Sequence, residues 1–104
     1  METGRALRLC RKARGLTLRI AATRAGITPA YLSLVERGQR DMRCELLARL
    51  SAVLSLSPST IIFIADHAAI PTEWSLDDIE AAERLFAMLG STKRYRVRSI
   101  QPNT

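Results

Sequence analysis

The chain has 104 residues, 47% of them hydrophobic, and a formal net charge of +6. That length supports one modest core and excludes two of ordinary size, and no run approaches the roughly 20 apolar residues that cross a bilayer. The opening METGRALRLCRKARG scatters charge through what would be the apolar stretch of a signal peptide, so a cytoplasmic protein without a membrane partner is expected.

Short helices follow one another, and nothing before the tail alternates with period two as a strand does. Ala6, Leu9, Cys10 and Ala13 form one apolar stripe, which Gly15 ends. Thr17 caps a second helix running to Ala25, with Ile20, Ala21 and Ala25 available to face inward and Gly26 as its stop. In GITPAYLSLVERG, Thr28 caps, Pro29 suits the first turn and Gly38 closes a third helix. On a helical wheel Leu32 and Val35 point one way with Glu36 beside them, while Ala30, Ser33, Leu34 and Arg37 point the other way. A fourth helix has Leu46, Leu47, Leu50, Val53 and Leu54 at helical spacing, and Ser57 with Pro58 starts a fifth in STIIFIADHA. Ser75 opens S-L-D-D, a capping-box variant, ahead of a sixth helix lined by Ile79, Ala82, Leu85, Phe86 and Leu89. The tail alternates Arg94, Arg96 and Arg98 with Tyr95 and Val97, which suits a short edge strand or a flexible basic arm.

The charge is unevenly distributed. Through Pro58 there are eleven basic residues against four acids, from Ser59 to Gly90 one against six, and from Ser91 onward four against none. Fourteen of the sixteen basic residues are Arg, whose planar fork suits phosphate and guanine. A polyanion such as double-stranded DNA is the partner this composition favours. An enzyme is not expected: His67 is the only histidine, no nucleophile and base are suitably spaced, and no Gly-rich phosphate loop occurs. Asp66-His67 reads as a partner for a helix C-terminal dipole. Cys10 and Cys44 fall at apolar helix positions without metal-ligand spacing, so buried reduced thiols and no metal or cofactor are expected.

Two short helices joined by a tight Gly turn, the second amphipathic and set among Arg, make a helix-turn-helix. The stretch LTLRIAATRAGITPAYLSLVERGQRD, between CRKARG and CELLARLSAVLSLS, resembles the lambda-repressor-like helix-turn-helix family of phage repressors, Cro and XRE-type regulators and restriction-modification controllers. The matching positions are Ala21 and Ala22, Gly26 and Ile27, and Leu32 through Gly38, and the likeness covers about residues 5 to 65. It implies an all-α fold with a five-helix DNA-binding domain over 1–68; the amphipathic helix and basic tail over 69–104 lie beyond the likeness and are expected to form a dimerisation extension. It also implies that Glu36 accepts hydrogen bonds from Arg11, a structural ion pair that makes a half-buried carboxylate tolerable.

By the same resemblance the helix from Pro29 to Arg37 enters the major groove, and its bare side permits close approach. The chain departs from the family where sequence is usually read, with Leu18 at the start of the scanning helix and Pro29, Ala30 and Leu34 in place of polar readers. The expected base contacts come from Thr28, Pro29, Ala30, Tyr31, Ser33, Leu34 and Arg37, with Ala30 and Leu34 against thymine methyl groups. Leu34 could instead pack on a neighbouring protein, and Tyr31 could be a lid over the helix pair with its hydroxyl on a phosphate. Thr17, Arg19, Arg24, Arg40 and Arg43 are the expected phosphate contacts. A single head covers about half a turn of DNA, so a homodimer on a palindromic operator is expected. Its seam is placed at Ile61, Ile62, Phe63, Ile64, Ile79, Leu85, Phe86 and Leu89. Repression is the expected mode, because a compact dimer on a promoter obstructs polymerase without further contacts. The competing reading is an antitoxin-like or adaptor protein whose C-terminal helix binds a protein partner.

Overall fold

The computed structural model describes residues 2–66 and 73–89. They form α1 (Thr3–Ala13), α2 (Leu18–Ala25), α3 (Pro29–Glu36), α4 (Cys44–Leu54), α5 (Pro58–Ala65) and α6 (Leu76–Leu89). No strand occurs among the described residues, and the all-α class expected from the sequence is the class found. His67 and the basic tail, with the strand or arm expected for it, lie outside the described residues.

Side-chain caps start the helices where the sequence places them. Thr17 Oγ1 accepts from the Ile20 amide at 3.1 Å and Thr28 Oγ1 from the Tyr31 amide at 3.1 Å. Ser75 and Asp78 form a complete capping box: Ser75 Oγ accepts from the Asp78 amide at 3.3 Å, and Asp78 Oδ2 accepts from the Ser75 amide at 2.9 Å. At α5 the box is assembled from two helices. Ser57 Oγ caps the Thr60 amide at 3.2 Å, but Thr60 is too short to reach back, and Glu83 of α6 accepts from the Ser57 amide instead, at 3.4 Å.

Helix ends share one device. At α2 the Gly26 amide donates to the Thr23 carbonyl at 3.1 Å and the Ile27 amide to the Ala22 carbonyl at 3.0 Å, the paired bonds of a Schellman turn. This turn needs a left-handed residue, and Gly26 supplies it at φ 78°. The same pair of bonds closes α1, α3 and α4. In α4 the left-handed position falls to Ser55, at φ 58°, which is not a glycine.

The core lies around α1, which packs against α3, α5 and α6, while α2 packs against α3 and α4. Leu7, Leu32, Leu50, Leu54, Ile61, Ile64 and Ile79 are its largest fully buried side chains. Ala6, Ala21, Ala22 and Ala25 are buried with them and allow the short helices to approach closely. Two expected core positions are corrected. Ile20 is 40% exposed, because Ala21, Ala22 and Ala25 define the inner face of α2 and Ile20 falls roughly opposite. Cys44 is exposed, being roughly 100° round α4 from the Leu46, Leu47, Leu50 and Leu54 face, whereas Cys10 is buried. No single described helix is long and apolar enough to cross a membrane.

Candidate nucleic-acid interface

The helix-turn-helix is built on small residues. Ala21, Ala22 and Ala25 of α2 are at most 3% exposed, and the Gly26 turn carries the chain directly into the Thr28 cap of α3. Arg49 of α4 helps to close the end of α2, donating from Nη1 to the Ala25 carbonyl at 3.4 Å and from Nη2 to Glu45 at 3.1 Å.

α3 divides into two faces. Leu32, Val35 and Glu36 are buried, at 0%, 1% and 5% exposure, so a carboxylate sits among core aliphatics. Arg11 of α1 meets it with a fork: Nε donates to Oε2 at 2.7 Å and Nη2 to Oε1 at 3.0 Å. The remaining Nη1 donates to the Leu16 carbonyl at 2.9 Å, so both ions are compensated. The helix is thereby fixed in rotation.

The other face is open. Thr28, Pro29, Ala30 and Arg37 are exposed, and Ser33 and Leu34 half-buried. The Thr28 oxygen already accepts the Tyr31 amide, which leaves its O–H and one further lone pair for a ligand. Arg37 Nε turns toward the Ser33 carbonyl at 3.4 Å. Tyr31 is half-buried and packs against the core, lining a cleft with Ile27, Arg43, Leu46 and Arg49. Thr17, Arg19, Arg24, Arg40 and Arg43 are all exposed.

The expected dimer seam is corrected in part. Ile61, Ile64 and Ile79 are at most 1% exposed within one chain, so their side chains have no surface to offer a second copy. Ile62 and Phe63 are half-buried, Leu85 is 44% exposed, and the side chains of Phe86 and Leu89 lie outside the described residues. Met88 is 77% exposed, three residues beyond Leu85 on the same helix, and was not among the expected seam residues. Its i+3 spacing from Leu85 is the sequence signal that points to it.

Gly4 is a second residue that sequence reasoning missed. A Cβ there would lie 2.4 Å from the Val35 carbonyl oxygen and 2.7 Å from that of Glu36, so the first turn of α1 rests directly on the end of α3. No sequence signal separates this glycine from a solvent-facing one.

Burial pushes the Cys10 thiol up to about 12, with nearby Arg14 pulling down and Glu83 pushing up. It is a neutral core group at physiological pH. Among the described residues no group of three or more His, Cys, Asp or Glu is placed to hold a metal ion.

Comparison with known proteins agrees with this geometry. Among solved structures the chain is similar to the clp gene regulator ClgR from Corynebacterium glutamicum, at 28% identity and a TM-score of 0.59, over 94% of this chain and 89% of that one. No curated protein matches. The helix-turn-helix domain family model matches residues 2–61, a span that takes in α1 through α4 and the first turn of α5. With more than half of its 104 residues matched, the chain belongs to the helix-turn-helix domain family.

Proposed function

We propose that the protein is a transcription regulator that binds double-stranded DNA sequence-specifically, and that it acts as a homodimeric repressor on a palindromic operator. Membership of the helix-turn-helix family and likeness to a gene regulator support DNA-binding regulation. The observation that carries the reading is the division of α3: one face locked inward through Glu36 and Arg11, the other exposed or half-buried among the described residues from Thr28 to Arg37. A helix held this way can lie in the major groove, about 12 Å wide, without reorganising.

In this assignment residues 1–68 are the DNA-binding head and 69–104 the dimerisation extension. Thr28, Ser33 and Arg37 offer donors to base edges, while Pro29, Ala30 and Leu34 form apolar contacts. Tyr31, with its ring against the core, suits a phosphate contact through its hydroxyl better than a base contact. Thr17, Arg19, Arg24, Arg40 and Arg43 hold the backbone. Ile62, Phe63, Leu85 and Met88 are the accessible part of the two-fold seam.

Genomic fragments retained by the purified chain at fixed moderate salt test the proposal. An inverted repeat among them is the expected result, and an unrepeated site would remove the dimeric reading. On a recovered fragment, Leu34→Asp should weaken binding about 100-fold or more by facing phosphates with a negative charge. Its far-ultraviolet circular dichroism should stay that of the parent. Unchanged affinity overturns the docking face. Affinity that ignores salt between 50 and 200 mM favours the protein-binding alternative, since several phosphate contacts make DNA binding steeply salt-dependent.

A further inference from the structure

We propose that α1 adds a phosphate-binding cleft to this interface, in which Arg5 and Arg8 take the sugar-phosphate backbone of duplex DNA beside the groove that α3 enters. The inference deepens the DNA-binding reading above and rests on it. Neither arginine belongs to the helix-turn-helix itself.

Two adjoining clefts, of about 340 and 220 Å³, share Arg8, Glu36 and Arg37. The larger extends along the first turn of α1 past Arg5, and the smaller leads to Ser33 of α3 and Leu18 at the start of α2. Together they form a trough that begins on the open side of α3 and leaves it toward α1. Arg5 and Arg8 are exposed and three residues apart, so they stand one above the other on the same face of α1.

The charge of the trough is positive. Arg5, Arg8, Arg11 and Arg37 line it against two carboxylates, Glu2 at one end and Glu36. Both oxygens of Glu36 are already engaged by Arg11 at 2.7 and 3.0 Å. Among the described residues neither Arg5 nor Arg8 has an ion-pair partner. Arg14, at the C-cap of the same helix, is paired with Glu80.

The trough is also closely packed on its α1 side. Gly4 leaves no room for a Cβ beside the Val35 and Glu36 carbonyls, so the first turn of α1 sits directly on the end of α3. Arg5 and Arg8 therefore keep their place beside Arg37 whichever way their own side chains turn. Such an arrangement neutralises phosphates and sets register without reading bases.

The test measures the affinity of the full chain for a retained duplex as a function of salt. Arg5→Ala/Arg8→Ala should lower the slope of log K against log salt by about 2, one phosphate contact for each arginine, and weaken binding on the order of tenfold per arginine at 0.1 M salt. The loss should be equal on the operator and on mixed-sequence duplex, with the melting temperature unchanged. Arg84→Ala, on the acidic α6, should leave the slope as it is. A double variant that keeps the parent slope overturns the assignment. So does saturable calorimetric binding of inorganic phosphate to the parent at constant ionic strength, abolished in the double variant while the DNA slope stays the same; the cleft would then hold a free anion. Failure of the parent itself to bind any duplex is a separate result, and it removes the underlying reading.

Discussion

Arg11 of α1 and Arg14 at its C-cap stand about one turn apart, and each reaches a carboxylate on a different helix: Glu36 of α3 and Glu80 of α6. The first pair is buried, bidentate and complete, with side-chain exposures of 10% and 4%. The second has one contact at 3.2 Å, exposures of 20% and 44%, and a buried Arg14 Nε without a partner among the described residues. α6 gains further hold from Glu83, which accepts from the Ser57 amide and the Thr60 hydroxyl at the start of α5. α3 is thus fixed by an ion pair inside the core, whereas α6, beyond the burial of Ile79, is held by polar grips around its rim. The physical difference is what each loss exposes: a stranded buried charge in one case, a group that water can reach in the other. The pose of α3 is consequently tied to global stability, and that of α6 to local opening.

The strongest way to break this contrast is Glu36→Ala. It leaves Arg11 charged in the core with only the Leu16 carbonyl, and should cost about 3 kcal/mol. For a domain of this size the melting temperature should fall by roughly 12 °C or more. Adding Arg11→Met should recover part of the loss, because the pair removed together leaves no stranded charge. A melting temperature equal to the parent would mean that α3 is held by its apolar side alone.

Glu83→Ala probes the other half, at a smaller expected cost of about 1 kcal/mol, since Thr60 keeps its bond to Ser57 Oγ at 2.9 Å. Amide hydrogen exchange should quicken over residues 76–89 and stay unchanged over 29–36. Equal acceleration in both helices would erase the distinction between them.

The sequence is legible where the physics is local. Thr17, Thr28, Ser57 and Ser75 announce helix starts because a short oxygen at that position satisfies an amide that the helix leaves open, and in each case the structure puts the oxygen there. Gly26 announces a turn for an equally local reason. The two faces of α3 follow from helical period alone, and the match of Arg11 to Glu36 came from family likeness, since nothing in spacing pairs residues 25 apart. What depends on packing between distant helices was not legible. Ile61, Ile64 and Ile79 have the apolar character of a seam, yet α1 and its neighbours cover them completely. Gly4 looks like any early glycine, and only the approach of α3 makes it a contact point. Glu83 reads as one more acid on an acidic helix until α5 presents an incomplete capping box to it.

The smallest expected effect sharpens where the boundary between the two regions lies. Ser55 closes α4 in the left-handed conformation that glycine fills at the other three Schellman turns, and it also offers its carbonyl to Arg14 Nη2 at 3.4 Å. Ser55→Gly removes a backbone penalty of about 1 kcal/mol and gives back about half of it through the freer unfolded chain. The net gain should be about 0.5 kcal/mol, or a rise of roughly 2 to 4 °C in melting temperature. The carbonyl that Arg14 uses is unchanged by the substitution, so the gain should persist in full when combined with Glu83→Ala. Additivity would assign the α4 turn to the body that carries α3. A gain that disappears in the double variant would instead make Arg14, Ser55 and Glu83 one coupled unit, and the attachment of α6 would then begin at the end of α4.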